Sequence, residues 1–211
     1  MLAASTAFGG PLAPQPTGPA PTPTGDQPGM FIGLDAGAFW IANIDANNGL
    51  NSASLHFKTG WGIDVPVGYN FGNGWSTFLD SGYNTADFDS GSAFINGKHY
   101  SSGLNGKAEF VPVMANLSYS VKLTDSLHWY LGGGVGTAYH KFTADLAGGG
   151  SVDDSKWDFG AQAFTGLAYD FTPQASFNIG YRYMYVHQSS ENFSDGNANT
   201  SSLLAGFTFK F

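Results

Sequence analysis

Cysteine is absent from all 211 residues. No disulfide framework, cysteine nucleophile or thiolate metal site is open to this chain, although the absence fits any compartment. Charge is scarce too: Asp, Glu, Lys and Arg make up 11% of residues, against roughly 25% in an ordinary soluble domain. Basic charge is scarcest, with Arg182 the single arginine and a net charge of -8. This excludes a nucleic-acid partner, which would need basic patches to neutralise phosphate. Long apolar runs are also missing, and no stretch approaches the roughly 18–20 residues of a membrane-spanning helix. What the chain does have is 30 glycines, 16% aromatic residues and frequent Ser, Thr and Asn. That mixture favours strands and turns over helices.

Proline divides the chain. Seven of the ten prolines fall in PLAPQPTGPAPTPTGDQP at 11–28. Without N–H donors and with φ fixed, this stretch reads as a disordered, extended linker over 1–29 rather than part of a core. MLAASTAFGG at 1–10 carries no Lys or Arg. It is either the remnant of a signal peptide or an ordinary mature start.

From residue 30 to 211 the texture is period-2 alternation. It marks eight strand segments at about 30–44, 60–71, 75–87, 107–123, 127–142, 156–171, 175–188 and 200–211. In GWGIDVPVGYNF one parity holds Trp61, Ile63, Val65, Val67, Tyr69 and Phe71, and the other Gly62, Asp64, Pro66, Gly68 and Asn70. In ASFNIGYRYMYV, Phe177, Ile179, Tyr181, Tyr183 and Tyr185 alternate with Asn178, Gly180, Arg182, Met184 and Val186. Connections alternate as well. Short turns near 72–74, 124–126 and 172–174 exchange with long polar segments at 45–59, 88–106, 143–155 and 189–199. The pattern is an up-and-down all-β meander with one plain end and one elaborated end. Pro66 and Pro112 fall inside strands, where they cannot donate to the ladder, so local bulges are expected at both.

Two architectures share this periodicity. A soluble barrel turns its apolar parity inward; a membrane barrel turns it to lipid and keeps the polar parity for the lumen. The membrane reading is favoured for three reasons. The polar parity is small, with little Lys or Glu. Trp, Tyr and Phe gather near strand ends, as interfacial girdles do. The segments also reach the roughly 9–11 residues a tilted spanning strand needs. Lipid then demands closure, because an open edge leaves backbone groups unsatisfied.

FIGLDAGAFW in the first strand, FVPVMANLSY in the fourth, AFTGLAYDFTP in the sixth and SFNIGYRYMYV in the seventh resemble the eight-stranded outer-membrane β-barrel family. That family includes the OmpA transmembrane domain, Opa-type adhesins and small surface antigens. The resemblance spans about 30–211 and rests most on GYRY after a short TP turn and on the terminal Phe. It implies the outer membrane of a Gram-negative-type bacterium, with the N-terminal linker in the periplasm and four loops outside. The chain ends on its last strand, so the separate C-terminal wall-binding domain of longer OmpA proteins is not expected. The implied role is structural and interactive, with the barrel displaying polar loops to host or matrix surfaces. The implied partners are outer-membrane lipid, lipopolysaccharide and the barrel-assembly machinery. By the same resemblance, Phe207, Phe209 and Phe211 are an assembly signal. A narrow channel for small solutes or cations, in the manner of OmpW-type barrels, is the alternative.

On this parity Asp35, Asp64, Asp80, Lys122, Asp158, Asp170, Arg182 and Lys210 form a polar lumen. Buried charges persist only when paired or hydrated, so a plug centred on Arg182 is expected. A cation path lined by the excess Asp is the other reading. No metal site or cofactor is expected, and Asp153-Asp154 reads as a solvated acidic pair. GGGVG at 132–136 lies within a strand and reads as packing space rather than a phosphate loop. One spacing touches catalysis: His187, Ser189 and Glu191 alternate in VHQSSENF. Lipid A deacylase barrels are similar in pairing His-x-Ser on a late strand with a later Glu. The Asn that follows their Ser is Ser190 here, so the third reading, a lipid A acyl hydrolase, stands behind a chain that is not an enzyme.

Overall fold

The computed structural model describes residues 28–42, 44–47, 52–95, 98–102, 105–146, 150–188 and 196–211. The Pro-rich stretch before 28 and the candidate residues Ser189 and Glu191 lie outside them. Eleven strands are found among the described residues: β1 (Gly29–Ile41), β2 (Ile44–Asn47), β3 (Ser52–Phe57), β4 (Gly60–Asn70), β5 (Trp75–Ile95), β6 (Lys98–Ser102), β7 (Asn105–Lys122), β8 (Leu127–Leu146), β9 (Gly150–Thr172), β10 (Ala175–Gln188) and β11 (Gly196–Lys210). Eight of them, β1, β4, β5, β7, β8, β9, β10 and β11, pair in that order as antiparallel neighbours. β11 returns to β1 through Phe31↔Lys210 to Ile41↔Thr200, which closes the barrel.

At one end the connections are short and their chemistry is local. Gly72 and Gly74 take φ of 77° and 87°, the left-handed region that glycine enters without penalty. The Asn70 side-chain oxygen accepts from the Gly72 N–H at 2.7 Å. In the next two turns a threonine hydroxyl does the equivalent work. Thr124 Oγ1 accepts from Leu127 N–H at 3.0 Å, and Thr172 Oγ1 from Ala175 N–H at 3.0 Å.

The other end is more strand-rich than its composition suggests. The segments 45–59, 88–106 and 143–155 are expected as loops, yet β2, β3, β6 and the outer parts of β5, β7, β8 and β9 fall within them. β3 and β6 pair the outer half of β5 on its two sides, through Ser52↔Phe94 and Ile95↔Lys98. Small polar residues score poorly as strand formers alone, but a neighbouring ladder supplies the missing hydrogen-bond partners and overrides the propensity.

The expected proline bulges do not occur. β4 pairs β5 in unbroken register through Pro66↔Asp80, and β7 pairs β8 through Pro112↔Ala138. On the opposite side of each proline the ladder lapses and resumes unshifted, from Ile32↔Val67 to Asp35↔Asp64 and from Ser81↔Val113 to Asn84↔Phe110. An antiparallel residue directs its N–H and C=O to the same neighbour, so proline's missing donor weakens one ladder without displacing the strand. Gly33 accommodates the ring, since a Cβ there would lie 2.8 Å from Pro66 Cγ.

Side-chain direction follows the alternation. Leu79 is 61% exposed, Trp61 57% and Phe159 55%, whereas Asp64 is 1% and Arg182 5% exposed. A continuous outer surface this apolar needs an apolar solvent. Aromatic pairs ring it at two heights. Trp75–Tyr119, Tyr69–Phe71 and Tyr169–Phe171 sit toward the short turns, at centroid separations of 5.0, 5.4 and 5.4 Å. Trp61–Tyr83 and Tyr139–Trp157 sit toward the far end, at 5.7 and 5.4 Å.

Candidate functional site: the barrel interior

The interior has three levels. In the middle, the Arg182 guanidinium reaches across the lumen and donates to Asp64 at 2.9 Å and to Asp80 at 3.1 Å, all three side chains being buried. A longer contact of 3.5 Å runs from Arg182 to the Asn84 side-chain oxygen. Beside this triad, Gln162 donates to Asn116 Oδ1 at 2.6 Å, and Asn116 donates to the Met114 carbonyl at 3.2 Å. Asp35 has a different partner: it accepts from the Asn178 amide at 2.8 Å.

Lumen-facing glycines make this layer possible. A Cβ would meet Asn116 Oδ1 at 2.0 Å if placed on Gly134, and Phe164 Cζ at 2.5 Å if placed on Gly132. Polar and aromatic side chains therefore lie flat across neighbouring glycines. GGGVG supplies space in a lumen too narrow for two facing side chains.

Toward the short turns, a cavity of ≈ 200 Å³ extends from Arg182 down to Lys210, lined among others by Ser118, Tyr130 and Thr208. At its mouth Asp170 accepts from Lys210 at 3.4 Å and faces His128 at 2.9 Å. Lys122, expected within this polar lumen, ends β7 as an exposed residue.

Toward the far end the interior changes character. Phe39, Phe110, Met184, Val186, Ala108 and Ala138 are at most 1% exposed. Phe39 and Phe110 pack at 5.8 Å and form one cluster with Ile41, Ala86 and Ala108, while Ala138, Met184 and Val186 form a second. One polar pair interrupts this level: His140 Nδ1 lies 3.6 Å from Asp158, whose other oxygen is 4.0 Å from Lys156. The lumen is therefore not uniformly polar. Asp158, Asp170 and Lys210 do not join Arg182, because they sit at other heights along their strands.

The outer surface changes in the opposite sense at the same boundary. Beyond Tyr83, the outward parity of β5 passes through the buried Thr85 to Asp87 and Asp89, both exposed. On β7 the Tyr83 hydroxyl donates to Glu109, and Lys107 donates to Glu109 at 3.0 Å. These two bonds, the hydroxyl first, hold the Glu109 carboxyl below the usual range; Lys107's own bond to the Tyr83 hydroxyl, at 3.0 Å, and then its bond to Glu109 raise the lysine. Outward Asp and Lys over inward Phe is the pattern of a water-soluble barrel.

Sequence reasoning missed this apolar level, although a signal was present. In AFWIA at 38–42, FVPVM at 110–114 and YMYV at 183–186 both parities are apolar, which marks strands buried on both faces. Of the remaining candidates, His187 is exposed on β10. Phe207 and Phe209 are 50% and 52% exposed on the outer surface, and Phe207 packs edge-on against Phe177 at 5.5 Å. Phe211 is 80% exposed, and its N–H donates to the Met30 carbonyl at 2.8 Å.

Comparison with known proteins agrees with this geometry. Neisserial surface protein A superposes with a TM-score of 0.54 at 21% identity, covering 86% of this chain and 97% of its own. The outer membrane protein OprG of Pseudomonas aeruginosa gives 0.53 at 19% identity, covering 87% and 96%. At such identities the shared property is the fold. An uncharacterized protein of Brucella abortus is 28% identical over 157 residues, 65% of this chain. The chain spans about half (55%) of the length of that curated relative. The model of the outer membrane protein beta-barrel domain matches residues 2–211. With that match over nearly its whole length, on a closed barrel with lipid-type outer surface, the chain belongs to the outer membrane protein beta-barrel domain family.

Proposed function

We propose that this protein is a non-conducting outer-membrane barrel with a structural and surface-interaction role, presenting its outer strands and their connections to ligands outside the cell. Short turns face the periplasm in outer-membrane barrels, so the N-terminal linker lies there and β2, β3 and β6 outside. The observation that carries the reading is the apolar far level. Two buried clusters, one with Phe39 and Phe110 and one with Met184 and Val186, each at most 1% exposed, line the lumen at this level, and an ion passing between them would lose hydration with little compensation. Planar-bilayer recording tests it: no stable conductance is expected, and a stable cation-selective conductance overturns it. The cavity below Arg182 supports the narrow-channel reading, which the same recording decides.

Lipid, lipopolysaccharide, the assembly machinery and host or matrix surfaces remain the partners of this reading. The outward aromatic residues of β11 support a role for Phe207, Phe209 and Phe211 in assembly. Deleting Phe211 should lower the yield of the heat-modifiable form on gels, and unchanged insertion sinks that role. No catalytic role is assigned to His187, Ser189 and Glu191. Lipid A acylation is expected to be unchanged by Ser189→Ala, and altered acylation by mass spectrometry would restore the hydrolase.

A further inference from the structure

Four aromatic side chains interrupt the polar lumen below Arg182. Phe31, Phe78, Tyr130 and Phe164 take the inward parity of their strands and line the cavity. Their rings touch in sequence. Phe31 meets Phe78 edge-on at 6.0 Å, Phe78 meets Phe164 at 5.6 Å, and Phe164 meets Tyr130 at 6.5 Å. Register gives the span of this string: Phe31 pairs Lys210 at the mouth, and Phe164 pairs Arg182 at the closed end. All four are only half-buried, whereas Phe39 and Phe110 in the level beyond are wholly buried. An inward ring that stops short of full burial borders unfilled space, here the cavity of ≈ 200 Å³. Such surface gains from an apolar occupant. Pockets in barrel mouths that join aromatic walls to a few polar groups are common ligand sites.

The polar lining sets the charge of the occupant. Each charged side chain described in that lining already has a partner. Arg182 is held by Asp64 and Asp80, Lys210 by Asp170, and Asp35 by the Asn178 amide. A charged ligand would have to displace one of these, and a buried charge left unpaired is costly. Ser76, Ser118, Ser120 and Thr208 line the same space, and hydroxyls donate or accept as a ligand requires. The Gln162 Oε1 adds a buried acceptor that receives no hydrogen bond. Aromatic rings beside uncharged donors and acceptors suit a neutral ring that bears a hydroxyl. An apolar cavity of about 150 Å³ accepts benzene, so the space suffices for one substituted ring.

We propose that the cavity beneath Arg182 binds a small uncharged aromatic molecule carrying a hydroxyl group, of phenol to naphthol size. Its ring lies against Phe31, Phe78 and Phe164, and its hydroxyl bonds to Gln162 Oε1 and the serine hydroxyls. The ligand enters from the short-turn end. Arg182 with its two carboxylates crosses the lumen at the other end, so the site is blind. Binding needs no path through the barrel, so this inference and the non-conducting reading fail in separate experiments.

The probe is 4-fluorophenol, followed by fluorine-19 NMR with the full chain in lipid nanodiscs. Empty nanodiscs give the partition into lipid alone, and heat modifiability verifies folding. A saturable shift or broadening in excess of that control is expected. Ser118→Phe, which fills the cavity from β7, should abolish the excess. Phe164→Leu should weaken the apparent affinity roughly threefold to tenfold, the worth of one aromatic contact, and carries the test alone if Ser118→Phe does not fold. Unlabelled phenol should compete, cyclohexanol less well, and benzylamine and benzoate, both charged at neutral pH, least. Absence of a saturable excess overturns the proposal and leaves water as the occupant. An excess unchanged in the folded variants places the probe at the lipid surface and also overturns it. Cyclohexanol competing as well as phenol refutes the aromatic class, and benzylamine or benzoate competing as well refutes the uncharged one.

Discussion

Below Tyr83 and above it, the same eight strands enclose two different interiors. On β5, the lower stretch turns Trp75, Leu79 and Tyr83 outward and Ser76, Asp80 and Asn84 inward; the upper stretch turns Asp87 outward and Phe88 inward. β7 repeats the inversion in reverse order, with Lys107 and Glu109 outside Ala108 and Phe110, then Val113, Leu117 and Tyr119 outside Asn116, Ser118 and Ser120. β5 keeps register with β7, and β7 with β8, across the change; the one shift there is on the other side of β5, where β3 pairs Phe57↔Phe88 and then His56↔Ser90. The surroundings account for it. Where lipid bathes the outer face, burial of apolar groups in the lumen is not needed and polar groups fill it. Where the strands rise into water, the outer face must be polar and only the lumen can form a core. One closed sheet therefore carries a membrane barrel and a soluble-type barrel end to end.

Four substitutions separate the two regions. Arg182→Met leaves Asp64 and Asp80 without their shared cation, and breaking a buried pair costs about 3–5 kcal/mol. Urea unfolding in micelles should show that loss, and a change under ~1 kcal/mol would mean that the middle level is solvated rather than paired. Phe110→Ala in the apolar level should cost about 3 kcal/mol or somewhat more, as buried aromatic truncations do. Leu79→Ala on the lipid face should cost clearly less, because detergent or lipid occupies the space; equal losses would erase the distinction between core and lipid surface. Gly134→Ala forces a Cβ to 2.0 Å from Asn116 Oδ1 and should cost about 1–3 kcal/mol by overpacking.

The smallest effect belongs to the outer rim. Glu109→Gln should change stability by less than about 1 kcal/mol, since its ion pair is exposed. Its pH dependence has a definite sign. The Glu109 carboxyl lies below its ordinary value, so its contribution is complete above about pH 4.3, the unfolded carboxyl value. The contribution fades as pH falls through the lower folded value. A stability difference between wild type and Glu109→Gln that grows on acidification would contradict this.

Much of the membrane half was legible beforehand. Trp61 to Phe71 on alternate positions, with Asp64 between them, needs no tertiary information to read as a two-faced strand. The Asn70 and Thr172 turns carry their partners within two or three residues. The upper half was legible only in part, because the inversion on β5 is short and its small residues suit either face. The strand character of 88–95 and 98–102 depends on β3, β5 and β6 meeting, and propensity does not report that. Pro66 and Pro112 misled for a related reason. Proline's missing donor is a local fact, but whether a strand bulges depends on the ladder on its other side.

The sequence by itself determined the alternation, the short turns, the lipid-facing aromatics and the inward carriage of Asp35, Asp64, Asp80 and Arg182, because strand parity is a two-residue period that no distant contact alters. Only the tertiary structure decided who pairs with whom inside. Arg182 lies 118 residues from Asp64 and 102 from Asp80, and Asp35 lies 143 from Asn178. Closure of β11 on β1 and the stagger of the strands set those heights. The same stagger gathers Phe39, Ala86 and Phe110 from three distant strands into one cluster, and Ala138 and Met184 into a second.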